Sequence, residues 1–188
     1  MTPKYLVALG ALLARVEATD GVGAALALDD GLARAIDIVR TQTAVGRKVI
    51  FIGNGGSAAI ASHQAVDYWK NGGMRAVAFN DSSLLTCVSN DFGYAHVFEK
   101  PIAMFADAGD VLMAISASGQ SENILRGGEA ARAAGCRLVT LSGFRPDNPL
   151  RRLGELNFYA PSDSYGHVEI THLAICHSVV DAIMAGSR

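Results

Sequence analysis

Aromatic residues are scarce in this chain, 7% of the total against 50% hydrophobic residues overall. Its core must therefore come from Ala, Val, Leu and Ile, which suits close-packed layers of helix and sheet. Cysteine is also scarce. Cys87, Cys136 and Cys176 show no paired spacing, give no disulfide framework, and read as small buried hydrophobes. No charge dominates: 16 Lys and Arg face 18 Asp and Glu, a net charge of −2, and no basic run marks a nucleic-acid footprint. Small anions stay open as ligands, because backbone dipoles bind them without net positive charge. No apolar run approaches the ~18 residues needed to cross a bilayer. Lys4 and the short Leu/Val/Ala stretch after it are followed by Glu17 and Asp20 without a signal-peptide cleavage site. The expectation is a cytoplasmic chain with no membrane contact. At 188 residues it has length enough for one fully cored domain spanning 1–188.

What is present is a regular alternation. Tyr5, Leu6, Leu9, Leu12, Leu13 and Val16 recur at spacings of three and four, and Leu32, Ala35, Ile36 and Val39 repeat the pattern. Two helices are therefore expected within residues 1–47, packing on the core or on a partner subunit. From Lys48 onward, strands are expected at 49–52, 76–79, 111–115, 138–141 and 157–160. Helices are expected at 57–70, 83–88, 96–105, 122–134 and about 168–184. Short apolar strands alternating with helices imply α/β architecture with a parallel sheet covered on both faces. There is no repeat, linker or low-complexity tract.

Two glycine- and serine-rich turns stand where such a fold binds ligands. Gly53-Asn54-Gly55-Gly56-Ser57 joins the first of these strands to its helix, and Ser116-Ala117-Ser118-Gly119-Gln120-Ser121 does the same after 111–115. In parallel sheets ligands bind beyond the carboxyl ends of strands, and a helix N-terminus with free N–H groups favours an anion. Three hydroxyls and a glycine turn suit a phosphate where no Arg or Lys is at hand. The plainer alternative makes Ser121 a helix N-cap and the other serines turn residues. A dinucleotide fold is disfavoured, since the first turn lacks the third glycine of G-x-G-x-x-G and no acidic residue closes the next strand.

Beside the first turn, His63 and Asp67 are four residues apart on one helix face. The last helix carries Glu169, His172 and His177. On a helical wheel Glu169 and His177 lie within about 80° of each other, whereas His172 falls roughly 140° from His177. His63, Asp67, Glu169 and His177 are thus favoured over His172. Two histidines and two carboxylates suit zinc or another divalent transition metal, and equally suit proton transfer without a metal.

Gly53–Ser57, the stretch Cys87-Val88-Ser89-Asn90-Asp91-Phe92-Gly93, Ile115–Ser121, and the His172/His177 spacing together resemble the sugar isomerase (SIS) domain, more narrowly its phosphoheptose isomerase group. The resemblance covers nearly the whole chain. It implies a three-layer α/β/α sandwich around a parallel sheet, preceded by N-terminal helices and assembled as a homotetramer with active sites between subunits. It implies aldose–ketose isomerisation of sedoheptulose 7-phosphate through an enediol, in surface-polysaccharide heptose synthesis. The group's phosphate-binding serines fall at Ser116, Ser118 and Ser121, with Ser57 nearby in the turn of Gly55 and Gly56, also expected to bind substrate, and its sugar contacts fall at Asn54 and Asp91. Its general base falls at Asp67 and its general acid at His177. Members that bind zinc, one per subunit, use the positions of His63, Asp67, Glu169 and His177.

Four departures stand out. Asp67 replaces a glutamate, Glu169 a neutral amide and Ala117 a threonine, while Tyr165-Gly166-His167 differs from the group's acidic–basic pair. The alternatives are an isomerase of another phosphosugar, or a non-catalytic SIS protein that binds phosphosugars or a protein partner such as the replication initiator DnaA. Retention of His63, Asp67 and His177 argues against the latter.

Overall fold

Valine, leucine and isoleucine fill the middle strands end to end. Val49–Gly53 (β3) and Val111–Ser116 (β5) are buried along their whole length, the signature of parallel strands covered on both faces. The computed structural model describes residues 2–186. Its elements run α1 (Thr2–Leu13), β1 (Glu17–Asp20), β2 (Ala25–Leu26), α2 (Leu28–Ala44), β3, α3 (Gly56–Lys70), β4 (Ala76–Ala78) and α4 (Ser82–Phe92). After a 3-10 turn at Tyr94–His96 come α5 (Glu99–Phe105), β5, α6 (Glu122–Ala133), β6 (Arg137–Gly143), α7 (Pro149–Leu153), β7 (Leu156–Ala160) and α8 (Tyr165–Gly186).

The seven strands form one sheet in the order β2-β1-β7-β6-β5-β3-β4. Strands β3 to β7 pair in parallel. Side chains alternating along them feed two separate cores. Val49, Phe51, Met113, Leu141 and Phe158 pack under α2, α3 and α8, while Ile50, Ile52, Leu112 and Leu138 pack under α4, α5, α6 and α7. The expected three-layer sandwich is present.

Its edge differs from expectation. The first helix stops at Leu13 instead of reaching Val16. The chain then forms a hairpin whose β1 pairs antiparallel with β7, Ala18 opposite Phe158, so the sheet is mixed. Glu-Ala-Thr-Asp carries one small apolar residue on its core-facing side, too little to print an alternating pattern. α7 also escaped the periodicity reading, although Asn148 followed by Pro149 is a helix-start signal. The Asn148 side chain accepts the Arg151 N–H, and proline sits in the first turn.

Two further expectations are corrected. Of the cysteines only Cys176 is buried; Cys136 is half-buried and Cys87 exposed. Helix α8, at 22 residues, is long and apolar enough by length and composition to cross a membrane, contrary to the run-length reading. It is instead a core helix: Val168, Ile175, Cys176, Val179 and Val180 face inward.

Candidate active site

β3 and β5 are neighbours in the sheet, but the chain leaves β3 toward β4 on one side and later returns to β5 on the other. This is the point where strand order reverses, and the loops after β3 and β5 diverge there to leave a crevice. The cavity in that crevice, about 250 Å³, is lined by Asn54, Gly55, Gly56, Ser57, Ser116, Ser118 and Ser121, together with Ala117, Tyr165 and Glu169. Apart from Asp91, every residue expected to bind substrate lies on it.

The turn after β3 depends on glycine. Gly55 is the N-cap of α3 at φ 55° and ψ −122°, a conformation essentially closed to residues with a Cβ. Its carbonyl accepts the N–H groups of Ala58 and Ala59 at 3.0 and 3.1 Å. No side chain caps α3, so its first N–H groups face the cavity. In the second loop Ser116 Oγ accepts the Gly119 N–H at 3.2 Å, and Ser118 Oγ accepts the Gln120 N–H at 3.2 Å. Ser121 occupies the N-cap position of α6, yet its hydroxyl caps nothing; it lies 3.4 Å from Ser116 Oγ. The N-cap alternative therefore accounts for its backbone and not for its side chain.

The two loops are tied through Asn54 by Asn123 and Tyr94, neither of which the sequence marks as a site residue. Asn54 and Asn123 exchange reciprocal amide hydrogen bonds of 2.9 Å, and the Tyr94 hydroxyl donates to Asn54 Oδ1 at 2.9 Å. Asn54 is therefore as much a strut as a ligand-facing group. Phe144, just after β6, holds a positive φ of 59°, a strained conformation for a bulky residue. Its ring packs edge-on to Tyr165 at the cavity wall, 4.7 Å between centroids. Asp91 lies on the exposed helix α4, where Cys87 and Asn90 are its partners, and does not join the cavity in this chain.

Helices α3 and α8 pack side by side. At one end Gly56 abuts the Glu169 carboxylate so closely that a methyl group on Gly56 would collide with it. Further along, Tyr68 donates to the Cys176 carbonyl at 3.3 Å. There Asp67 Oδ2 lies 3.2 Å from His63 Nε2 and 3.8 Å from His177 Nδ1. The other carboxylate oxygen accepts the Asn71 amide at 3.1 Å, which fixes the side chain. The imidazole rings stand 5.5 Å apart, tilted by 60°. One ligand atom from each of His63, Asp67 and His177 lies within 4.8 Å of the others. Two imidazole nitrogens and a carboxylate oxygen so placed fit a divalent transition metal.

Glu169 does not belong to this group in the single chain. Its azimuth lies within about 80° of that of His177, but eight residues of helix separate the two by roughly 12 Å along the axis, a rise that a helical wheel does not show. It sits instead in the wall of the serine cavity. His172 is fully buried and points at β6, where its Nε2 lies 3.0 Å from the Ser142 carbonyl. Burial holds its imidazole neutral, with the pKa down to about 4.

A family model for the SIS domain matches residues 5–143. The phosphoheptose isomerase of Geobacter sulfurreducens is 35% identical over 158 residues, covering 81% of this chain and 83% of that one. The phosphoheptose isomerase of Yersinia pestis (strain Pestoides F) is 36% identical over 160 residues, covering 82% of each. The chain belongs to the SIS domain family, in its phosphoheptose isomerase group. Solved structures agree. That of the Neisseria gonorrhoeae phosphoheptose isomerase superposes with a TM-score of 0.79 at 29% identity, over 83% of this chain and 86% of that one. That of Francisella tularensis gives 0.79 at 28%, over 85% and 87%. The crevice between the β3 and β5 loops and the His63/Asp67/His177 group thus both border the α3–α8 pair.

Proposed function

We propose that the protein is an aldose–ketose isomerase that converts sedoheptulose 7-phosphate to D-glycero-D-manno-heptose 7-phosphate. One observation carries the reading. The α3–α8 seam has an anion-suited cavity at one end and a carboxylate between two imidazoles at the other, with seven residues, roughly 10 Å, from Gly56 to His63. An extended phosphosugar long enough to join such groups places its phosphate and its carbonyl end at the two stations.

The α3 N-terminus and the hydroxyls of Ser57, Ser116, Ser118 and Ser121 hold the phosphate, which fixes the position of the reacting carbons. Asp67 takes the proton from the carbon beside the carbonyl and returns it to the neighbouring carbon. His177 moves the second proton between the two oxygens. Asn71 keeps the carboxylate oriented through both transfers. His63, Asp67 and His177 would hold a zinc ion, one per subunit, and zinc there would supply polarisation of the sugar oxygens. Glu169 joins that set only if the helix termini rearrange or a neighbouring subunit supplies it.

The whole chain is read as one domain in a cytoplasmic homotetramer with active sites between subunits, free of nucleic acid and membrane. Apolar side chains left open on α1 and α3, Val7 at 72% and Trp69 at 54% exposure, support the assembly. Incubation of the purified protein with sedoheptulose 7-phosphate, followed by NMR, tests the reaction. The aldose should appear with that substrate and not with unphosphorylated sedoheptulose. Binding without conversion would support a non-catalytic phosphosugar-binding protein instead.

A further inference from the structure

Away from the serine crevice, the β1–β2 turn and the short helix α7 enclose a cavity of about 560 Å³, within the range of small-molecule sites. Its lining includes Thr19, Gly21, Pro146, Arg151 and Arg152, and among the described residues no carboxylate. Arg151 is already engaged: its guanidinium lies 2.7 Å from Glu17 and 4.4 Å over the Tyr159 ring. Arg152 is exposed and makes no hydrogen bond or ion pair within 4 Å among the described residues, although its charge acts on nearby Asp147. Thr19 is 5% exposed and its hydroxyl oxygen is sealed from the cavity, so this residue contributes to the wall by shape alone. Beyond Arg152 and Gly21 the cleft continues into a second cavity of about 350 Å³ lined by Arg132 and by Arg137, whose charge Glu155 neutralises.

An exposed guanidinium with no ion pair within 4 Å, placed between two connected cavities with a second guanidinium beside it, is a recognition surface for phosphoryl groups. We propose that this cleft is a second anion site, taking a small ligand with several linked phosphoryl groups, of nucleotide size. α7 also braces the serine loop. The Leu150 N–H donates to the Gly119 carbonyl at 3.1 Å, and buried Asn148 packs against Gly119 while accepting the Arg151 N–H at 3.0 Å. A ligand on Arg151 and Arg152 therefore has a direct mechanical route to the substrate-phosphate loop. The inference does not depend on the isomerase reading, since binding is measured without turnover.

Calorimetric titration of the full-length protein with ATP and with inorganic pyrophosphate tests it. Three proteins are compared: wild type, Arg152→Glu, and a Ser116→Ala/Ser118→Ala double variant, each checked for folding by circular dichroism. The site predicts saturable binding of at least one probe, weakened about tenfold or more in Arg152→Glu and kept in the serine variant. No saturable binding up to millimolar probe overturns the proposal. So does binding that is unchanged in Arg152→Glu or lost in the serine variant.

Discussion

Asp67 is the residue on which the chemistry turns, because one of its oxygens is held by Asn71 and the other faces two imidazoles. His63 is more exposed and has a different expected role. A His63→Ala protein should lose bound zinc, read as metal per subunit by elemental analysis, before it loses fold. An unchanged metal content would remove His63 from the ligand set. His172 gives a pH prediction of known sign. Below pH 6.5 the unfolded chain takes up a proton on this imidazole that the folded chain refuses until about pH 4. Stability should therefore fall as pH drops through that window, by up to about 3 kcal/mol, and should not change on this account above it. Urea denaturation of a His172→Gln variant should show a flatter acid limb than wild type, and an equally steep one would contradict the assignment. The sequence ranked His172 below its neighbours from angle alone, and the Ser142 contact supplies the physical cause.

At the scale of elements, the join of β3 to α3 is the sensitive one. Gly56→Ala puts a methyl group where the Glu169 carboxylate lies, so the flexible Glu169 side chain must swing out of its place in the cavity wall. We expect a stability change of no more than about 1 kcal/mol and weaker binding of inorganic phosphate at the narrowed turn, measured by thermal melting and calorimetry. Unchanged phosphate affinity would mean the anion does not sit at this helix end. β3 and β5 were legible in the sequence because each is a buried apolar run closed by glycine or serine. β1 was not legible, since its pairing with β7 rests on backbone bonds along a stretch with one small apolar core residue. The serine loop was legible because its residues are contiguous. Asn123, Tyr94 and Asn148 were not, because each acts on a loop remote from it in the chain.

For the whole molecule, the spacing of the two stations along α3 and α8 was the part least visible in sequence. Residue periodicity gives angles around a helix, and only the packed pair shows which groups share a level, Gly56 with Glu169 and Asp67 with His177. Assembly belongs to this scale too. Open apolar groups on α1 and α3 predict a homotetramer by light scattering, and Val7→Asp or Trp69→Asp should shift it toward smaller species while circular dichroism stays the same. A wild-type monomer would contradict that.

The account rests on one substrate meeting both stations, and the Asp67→Asn protein tests it most directly. This variant keeps the shape and the Asn71 contact but has no carboxylate to accept a proton. It should bind sedoheptulose 7-phosphate in a calorimeter about as tightly as wild type, and convert it at least about 100-fold more slowly. Conversion near the wild-type rate would contradict the account.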